Sequence, residues 1–362
     1  MKRLVGVSLI VFFVLLLTLR LPATEEVVEQ LPATKPTIQK TLIPINDQPE
    51  FYIDYGLSFI KQDQPIIDSK ILLVPHHLLP VKQIGEAFAS APNEKRVILL
   101  APDHFSGCPT FVCTTEADFS YQAITIPTVA AEQSPITKSD FLFTREHAIR
   151  GLLPFLKKRW PESELIPITI KADADVETID RLAQWILTEL QRGDTYLVAT
   201  IDLSHYLPAY LADIHDLVTI RDLLTPDPER WKPMEIDNPP IARIVQTLSR
   251  DLGLKGSVQS HTNSLRLVQS KKEREGTSHV IIRYSNEGEV PEEVSTILYT
   301  DPSRKIYSIE DRYYWGFDQI ITTSTKQDWA EVITPTTTTR IDLPFERIDG
   351  LNKPVIDSVQ AR

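Results

Sequence analysis

Between about residue 65 and residue 285, short apolar runs alternate with longer amphipathic ones, and this alternation narrows the possible folds more than any other feature of the chain. KILLVP (70–75), RVILLAP (96–102), ELIPITI (164–170), TYLVATID (195–202) and SHVIIRYS (278–285) read as strands. Residues 81–91 and 176–192 read as helices. So does TREHAIRGLLPFLKKRW (144–160), with Ile149, Leu152, Leu153 and Leu156 at helical spacing. Further helices are expected near 208–224 and 239–252. Strands alternating with helices predict an α/β domain, a central mixed sheet flanked by helices, over residues 49–289.

The two ends of the chain have a different character. Residues 4–19 (LVGVSLIVFFVLLLTL) carry no charge and lie between Lys2-Arg3 and Arg20. A helix of that length would span about 24 Å, against a hydrocarbon core of about 30 Å. Residues 1–20 are therefore expected to be a membrane anchor with Arg3 and Arg20 at the two interfaces, or else a signal segment cut after Ala23. Both readings leave Lys2 and Arg3 inside and place the domain outside the cytoplasm, anchored or secreted. Residues 21–48, rich in Pro, Thr, Glu and Gln, read as a linker. Residues 290–362 read as a small appended unit or a partly disordered extension.

The formal net charge of −11 and the lack of any Lys/Arg run argue against a nucleic-acid partner. Cys108 and Cys113 are spaced to close a small disulfide loop in an oxidising compartment, free thiols being the alternative. No GxGxxG, phosphate-loop lysine motif or GxSxG elbow occurs, so nucleotide and serine hydrolysis have no support.

Chemistry concentrates in the histidines. His76 follows ILLVP, His104 follows VILLAPD and His205 follows YLVATIDLS, so each stands just past a strand end. Ligands of open α/β sheets bind beyond the carboxyl ends of the strands. Three strand ends thus bring imidazoles to one edge, with Asp202 three residues before His205. Three protein ligands with a position left open mark a catalytic metal site. Asp202 then acts as a fourth ligand, as an orienting carboxylate or as a general base. Of the other histidines, His215 is expected on a solvated or hydrogen-bonded helix face, His261 in a turn after a strand, at the rim of the pocket or apart from it, and His279 in a structural position opening a strand.

PHH (75–77), LLAPDHF (99–105), EHAIRGLLPFL (146–156) and IDLSHY (201–206) occur in the order and at the spacing of the motifs of the Memo family, whose B-component members belong to the AmmeMemoRadiSam system. The chain resembles that family over about residues 65–285. The resemblance implies a fold similar to class III extradiol-type non-haem iron dioxygenases. It implies metal ligation by His76, His104 and His205, with Asp202, Glu146 and His147 lining the same pocket. His77 stands where the family has Ala. The family's Cys-Gly appears here as Ile236-Asp237, so a thiol usual at the pocket is missing.

The resulting expectation is a metal-dependent, dioxygenase-like oxidoreductase using a divalent metal, Fe(II) or Cu in preference to Zn, on a small-molecule or peptide ligand. The alternative is a binding module that uses the same pocket without turnover.

Overall fold

The computed structural model describes residues 40–286, apart from 47, 62–63, 134, 208, 233 and 269–274, together with short backbone segments between 306 and 357. In chain order the elements are β1 (Leu42–Pro44), α1 (Glu50–Leu57), β2 (Ile71–Val74), α2 (Val81–Ala89), β3 (Arg96–Pro102), β4 (Val112–Thr114), β5 (Asp118–Tyr121), β6 (Ile124–Ile126) and β7 (Thr137–Lys138). Then come α3 (Asp140–Phe143), α4 (His147–Arg150), α5 (Leu153–Arg159), β8 (Glu164–Ile170), α6 (Val176–Gln191), β9 (Thr195–Thr200) and β10 (His205–Leu207). α7 (Ala209–Leu224), α8 (Pro239–Leu252), β11 (Lys255–Asn263), α9 (Ser264–Val268) and β12 (Gly276–Ser285) complete the α/β part.

The main sheet runs β10-β12-β2-β9-β3-β8-β4-β7, with β11 also paired to β12. Its centre, β2-β9-β3-β8, is parallel. The flanks are antiparallel where β12 meets β2 and β4 meets β8, so the sheet is mixed and helices cover both faces.

Alternation along the strands divides the core. Ile71, Leu73, Ile98, Leu100, Leu197 and Ala199 pack with α6 and α8. Leu72, Val74, Val97, Leu99 and Val198 face the other way, toward α1, α2 and α5. Side chains alternate between faces along a strand, so residues 71–74 feed both cores and can all be fully buried.

Three details depart from the sequence reading. Residues 42–44, expected within the linker of 21–48, form β1, which pairs with β5, and Ile43 and Ile45 are buried in the core. Residues 144–160 are not one helix but α4 and α5, with a break around Gly151 and Leu152, and Pro154 lies in the first turn of α5. His261 lies within strand β11 rather than in a turn. No helix among the described residues is long and apolar enough to cross a membrane; the expected anchor over residues 1–20 lies outside the described residues. The extension expected over 290–362 contributes short strands, which pair as Ile306–Ile309 with Arg312–Trp315 and Ile356–Asp357, and as Trp329–Ile333 with Ile320–Thr322 and Thr338–Asp342.

Candidate metal centre

Three central strands end side by side. β2 ends at Val74 and delivers His76, β3 ends at Pro102 and delivers His104, and β9 ends at Thr200 and delivers Asp202. The loop after β3 turns back sharply. Asp103 accepts from the backbone N–H of Gly107 at 3.0 Å and of Cys108 at 2.9 Å, and Ser106 takes a positive φ of 48°. Cys108 and Cys113 are disulfide-bonded just beyond, with Cα atoms 5.7 Å apart, so the loop that carries His104 is tied at both ends.

The imidazoles of His76, His104 and His147 form one cluster. Ring centroids lie 4.9 Å apart for His76 and His104, 5.4 Å for His76 and His147, and 4.4 Å for His104 and His147. The potential donor atoms fall into two groups, each mutually within 4.8 Å: His76, His104 and His147, and His76, Asp202 and Asp237. His76 belongs to both. Its Nε2 lies 3.3 Å from Asp202 Oδ2 and 3.1 Å from Asp237 Oδ2, and Nε2 of His104 lies 3.5 Å from the same Asp237 oxygen.

The outer nitrogens of these rings are occupied. His76 Nδ1 meets Thr200 Oγ1 at 3.2 Å, and His104 Nδ1 meets Glu146 Oε1 at 2.9 Å. Fixing Nδ1 selects Nε2 as the nitrogen that faces the pocket, which is how ligating imidazoles are commonly oriented. Glu146 is fully buried and has several duties. It caps α4 through the Ala148 N–H, and its Oε2 accepts from the backbone N–H of His104 at 2.9 Å.

Sequence reasoning missed Asp237. It reaches the pocket because its own N–H donates to Asp202 O at 3.2 Å, while the next residue, Asn238, caps α8 and bonds Ile170 O at 2.8 Å. Asn-Pro-Pro is a legible helix start. An acidic residue placed immediately before it, in the segment where the family carries its Cys-Gly, was the available signal.

Of the residues singled out in the sequence, His76, His104, His147 and Asp202 come together, with Glu146 behind His104. His205 joins neither donor group. It stands on β10 opposite Thr277 of β12, close enough to His77 for their charges to interact. His77 turns away from His76, its Nδ1 3.2 Å from Nε2 of His279, and His279 Nδ1 approaches Asp202 Oδ1 at 3.5 Å. His279 therefore backs the pocket as well as forming part of β12. His215 does not face solvent. It is 3% exposed, with Nδ1 2.6 Å from Glu235. His261 bonds the buried Asp216 at 2.8 Å, and Asp216 in turn accepts from the Ser204 hydroxyl at 2.7 Å.

Electrostatics follow from this crowding. Burial opposes a charge on His104, but Asp237 and Glu146 outweigh it and push its pKa up to about 10. His76 is raised despite complete burial, because Asp202 and Asp237 face it. Burial, then the charges of His76 and His104, hold His147 down to about 4. Burial raises Asp202 and Asp237, but the His76 charge overrides it, and both remain ionised.

A divalent metal fits these residues on two counts. Both carboxylate oxygens of Asp237 are buried without an aligned hydrogen bond, whereas the unpaired Oδ1 of Asp202 faces His279. Buried carboxylate oxygens normally have partners, and Oδ2 of Asp237 stands with Oδ2 of Asp202 around Nε2 of His76, as donors that share an ion do. The charges also balance. Asp202, Asp237 and Glu146 face two protonated imidazoles, so exchanging those two protons for a dication leaves the net charge unchanged.

An α/β domain with a His/Asp pocket at the carboxyl ends of parallel strands is the class that fold and site together define. The family model described as Memo-like protein matches residues 57–232. The chain is 24% identical over 241 residues to a MEMO1 family protein of Aquifex aeolicus, covering 64% of this chain and 84% of the relative. It is 25% identical over 144 residues to a MEMO1 family protein of Caldivirga maquilingensis, covering 37% and 51%. Over this domain the chain is similar to the Memo-like family. Among solved structures, the uncharacterized protein JW3007 of Escherichia coli K12 aligns with TM-score 0.40 and 10% identity over 59% of this chain and 99% of that one.

Proposed function

We propose that the pocket holds one divalent metal between His76, His104 and Asp237, and that the protein is a metal-dependent oxidoreductase of dioxygenase-like type. The observation that carries this reading is the single oxygen, Asp237 Oδ2, lying 3.1 Å and 3.5 Å from the Nε2 atoms of two imidazoles whose Nδ1 atoms are already engaged. Two histidines and one carboxylate with positions left open form the donor set of non-haem Fe(II) oxygenases, and this supports Fe(II) ahead of copper or zinc. Replacing a thiol by a carboxylate moves the site in the same direction, since hard oxygen donors disfavour Cu(I).

A bound metal would supply a Lewis acid that lowers the pKa of a hydroxyl or water placed against it. The protein's residues do the rest. Thr200 and Glu146 hold the two rings in register. His147, neutral and partly exposed beside them, is placed to accept the proton of a small hydroxylated substrate. Asp202, buried and ionised, is placed to hold a second proton or to take a further position on the metal.

The test is anaerobic titration of the full chain with Fe(II), followed by nitric oxide as a surrogate for dioxygen. One equivalent bound, with a new paramagnetic signal on adding nitric oxide, is the expected result. A protein that binds no metal yet retains a small-molecule or peptide ligand would support the binding-module reading instead.

A further inference from the structure

A second cavity, of about 450 Å³, lies at the opposite edge of the sheet, where α5 ends and β3 and β8 begin. Ile60, Ile66, Ala89 and Pro161 line it with Lys61, Lys158, Arg159 and Asn93. Among the described residues, three cations and no carboxylate line it, in a chain of net charge −11. Arg159 is committed in part, through Ala91 O and Asn93 Oδ1. No ion pair to Lys61, Lys158 or Arg159 occurs among the described residues. The nearby Glu94 faces Lys70 instead, at 3.8 Å.

An aromatic row on and just after α1 leads along the chain into the cavity wall. Phe51 and Tyr55 on α1 are exposed and stack at 6.3 Å, and Tyr55 meets Phe59 edge-on at 5.1 Å. Phe59 is followed directly by Ile60 and Lys61 of the cavity wall. Aromatic rings beside cations that flank apolar side chains suit the boundary between lipid headgroups and acyl chains. In the sequence, the uncharged run of residues 4–19 lies only about thirty residues before α1.

We infer that this face docks on an anionic phospholipid surface, with the phosphate of a headgroup seated among Lys61, Lys158 and Arg159 and the Phe51-Tyr55-Phe59 row resting in the interface. Charge complementarity selects this occupant, because a zwitterionic headgroup offsets its phosphate with its own ammonium, whereas an anionic headgroup leaves its charge free for the three cations. The metal pocket, at the far end of the strands, then faces away from the lipid.

The test uses the full chain in phosphatidylcholine vesicles with and without phosphatidylglycerol, reading backbone hydrogen exchange at residues 58–61 and 158–160. Each Lys or Arg near an anionic leaflet contributes about 1 kcal/mol, a roughly fivefold gain. Protection is expected only with phosphatidylglycerol, and K61Q/K158Q should lower it up to about 30-fold. Neither lysine makes an ion pair among the described residues, so the variant should fold; unchanged exchange in the sheet core checks this. Equal protection in both vesicles, or protection that survives K61Q/K158Q, would overturn the inference. Equal protection from millimolar inorganic phosphate in detergent would also overturn it, in favour of a soluble phosphate ligand.

Discussion

At the scale of single residues, the metal-free pocket stores protons that a metal must displace. His104 holds its proton up to about pH 10 and His76 is raised as well, so uptake of a dication near pH 7 should release about two protons. Isothermal titration in buffers of different ionisation enthalpy reads that number, and the apparent affinity should weaken as pH falls. Stability of the metal-free protein follows the same groups. The folded pKa of His104 lies above its unfolded value of about 6.5, so its contribution is complete below pH 6.5 and is lost as pH rises through 10. His147 and His77 are held near 4, so an unfolded chain takes up protons that the fold refuses. Stability should therefore also fall as pH drops from about 6.5 toward 4. Urea midpoints between pH 4 and 10 give both limbs, and saturating metal should flatten the upper one. Glu146→Gln keeps much of the cap on α4 but removes the charge beside His104. Metal affinity should fall about 10–100-fold, the usual cost of losing an orienting partner, and the urea midpoint of the metal-free protein at pH 7 should fall as well, because Glu146 helps to raise His104.

At the scale of elements, strands were more legible than connections. Residues 71–74, 96–102, 164–170 and 195–200 declare themselves because burial on both faces leaves only apolar side chains. β11 did not, since KGSVQSHTN is an edge strand whose mostly polar side chains are only partly buried. α4 and α5 were merged because helical periodicity continues across the break at Gly151 and Leu152. Packing between elements carries its own prediction. A Cβ on Gly56 would come within 2.3 Å of Val81 and 2.6 Å of Phe155, where α1 crosses α2 and α5. Gly56→Ala should cost about 1–3 kcal/mol by overpacking, read from urea unfolding. Reducing the Cys108–Cys113 bridge should cost about 2 kcal/mol for so short a loop. It should also weaken metal binding, because that loop holds His104.

At the scale of the molecule, the sequence located the pocket but not all of its members. His76, His104 and Asp202 were legible because parallel strands end in register, so residues just past those ends must meet. His205 satisfied the same rule and yet stands apart. Ile201 to Ser204 continue beyond β9, and Leu203 and Ser204 pair with Ser278 of β12, which takes His205 onto β10. Asp237 was invisible to the rule because it arrives from a helix start rather than a strand end. Metal content of the full chain, purified with excess Fe(II) and compared with His104→Ala, Asp237→Ala and His205→Ala, tests the account most directly. One metal per chain in the unmodified protein and in His205→Ala, with loss in the other two, is the result expected. Metal retained by Asp237→Ala and lost by His205→Ala, or absent from the unmodified protein, would contradict it.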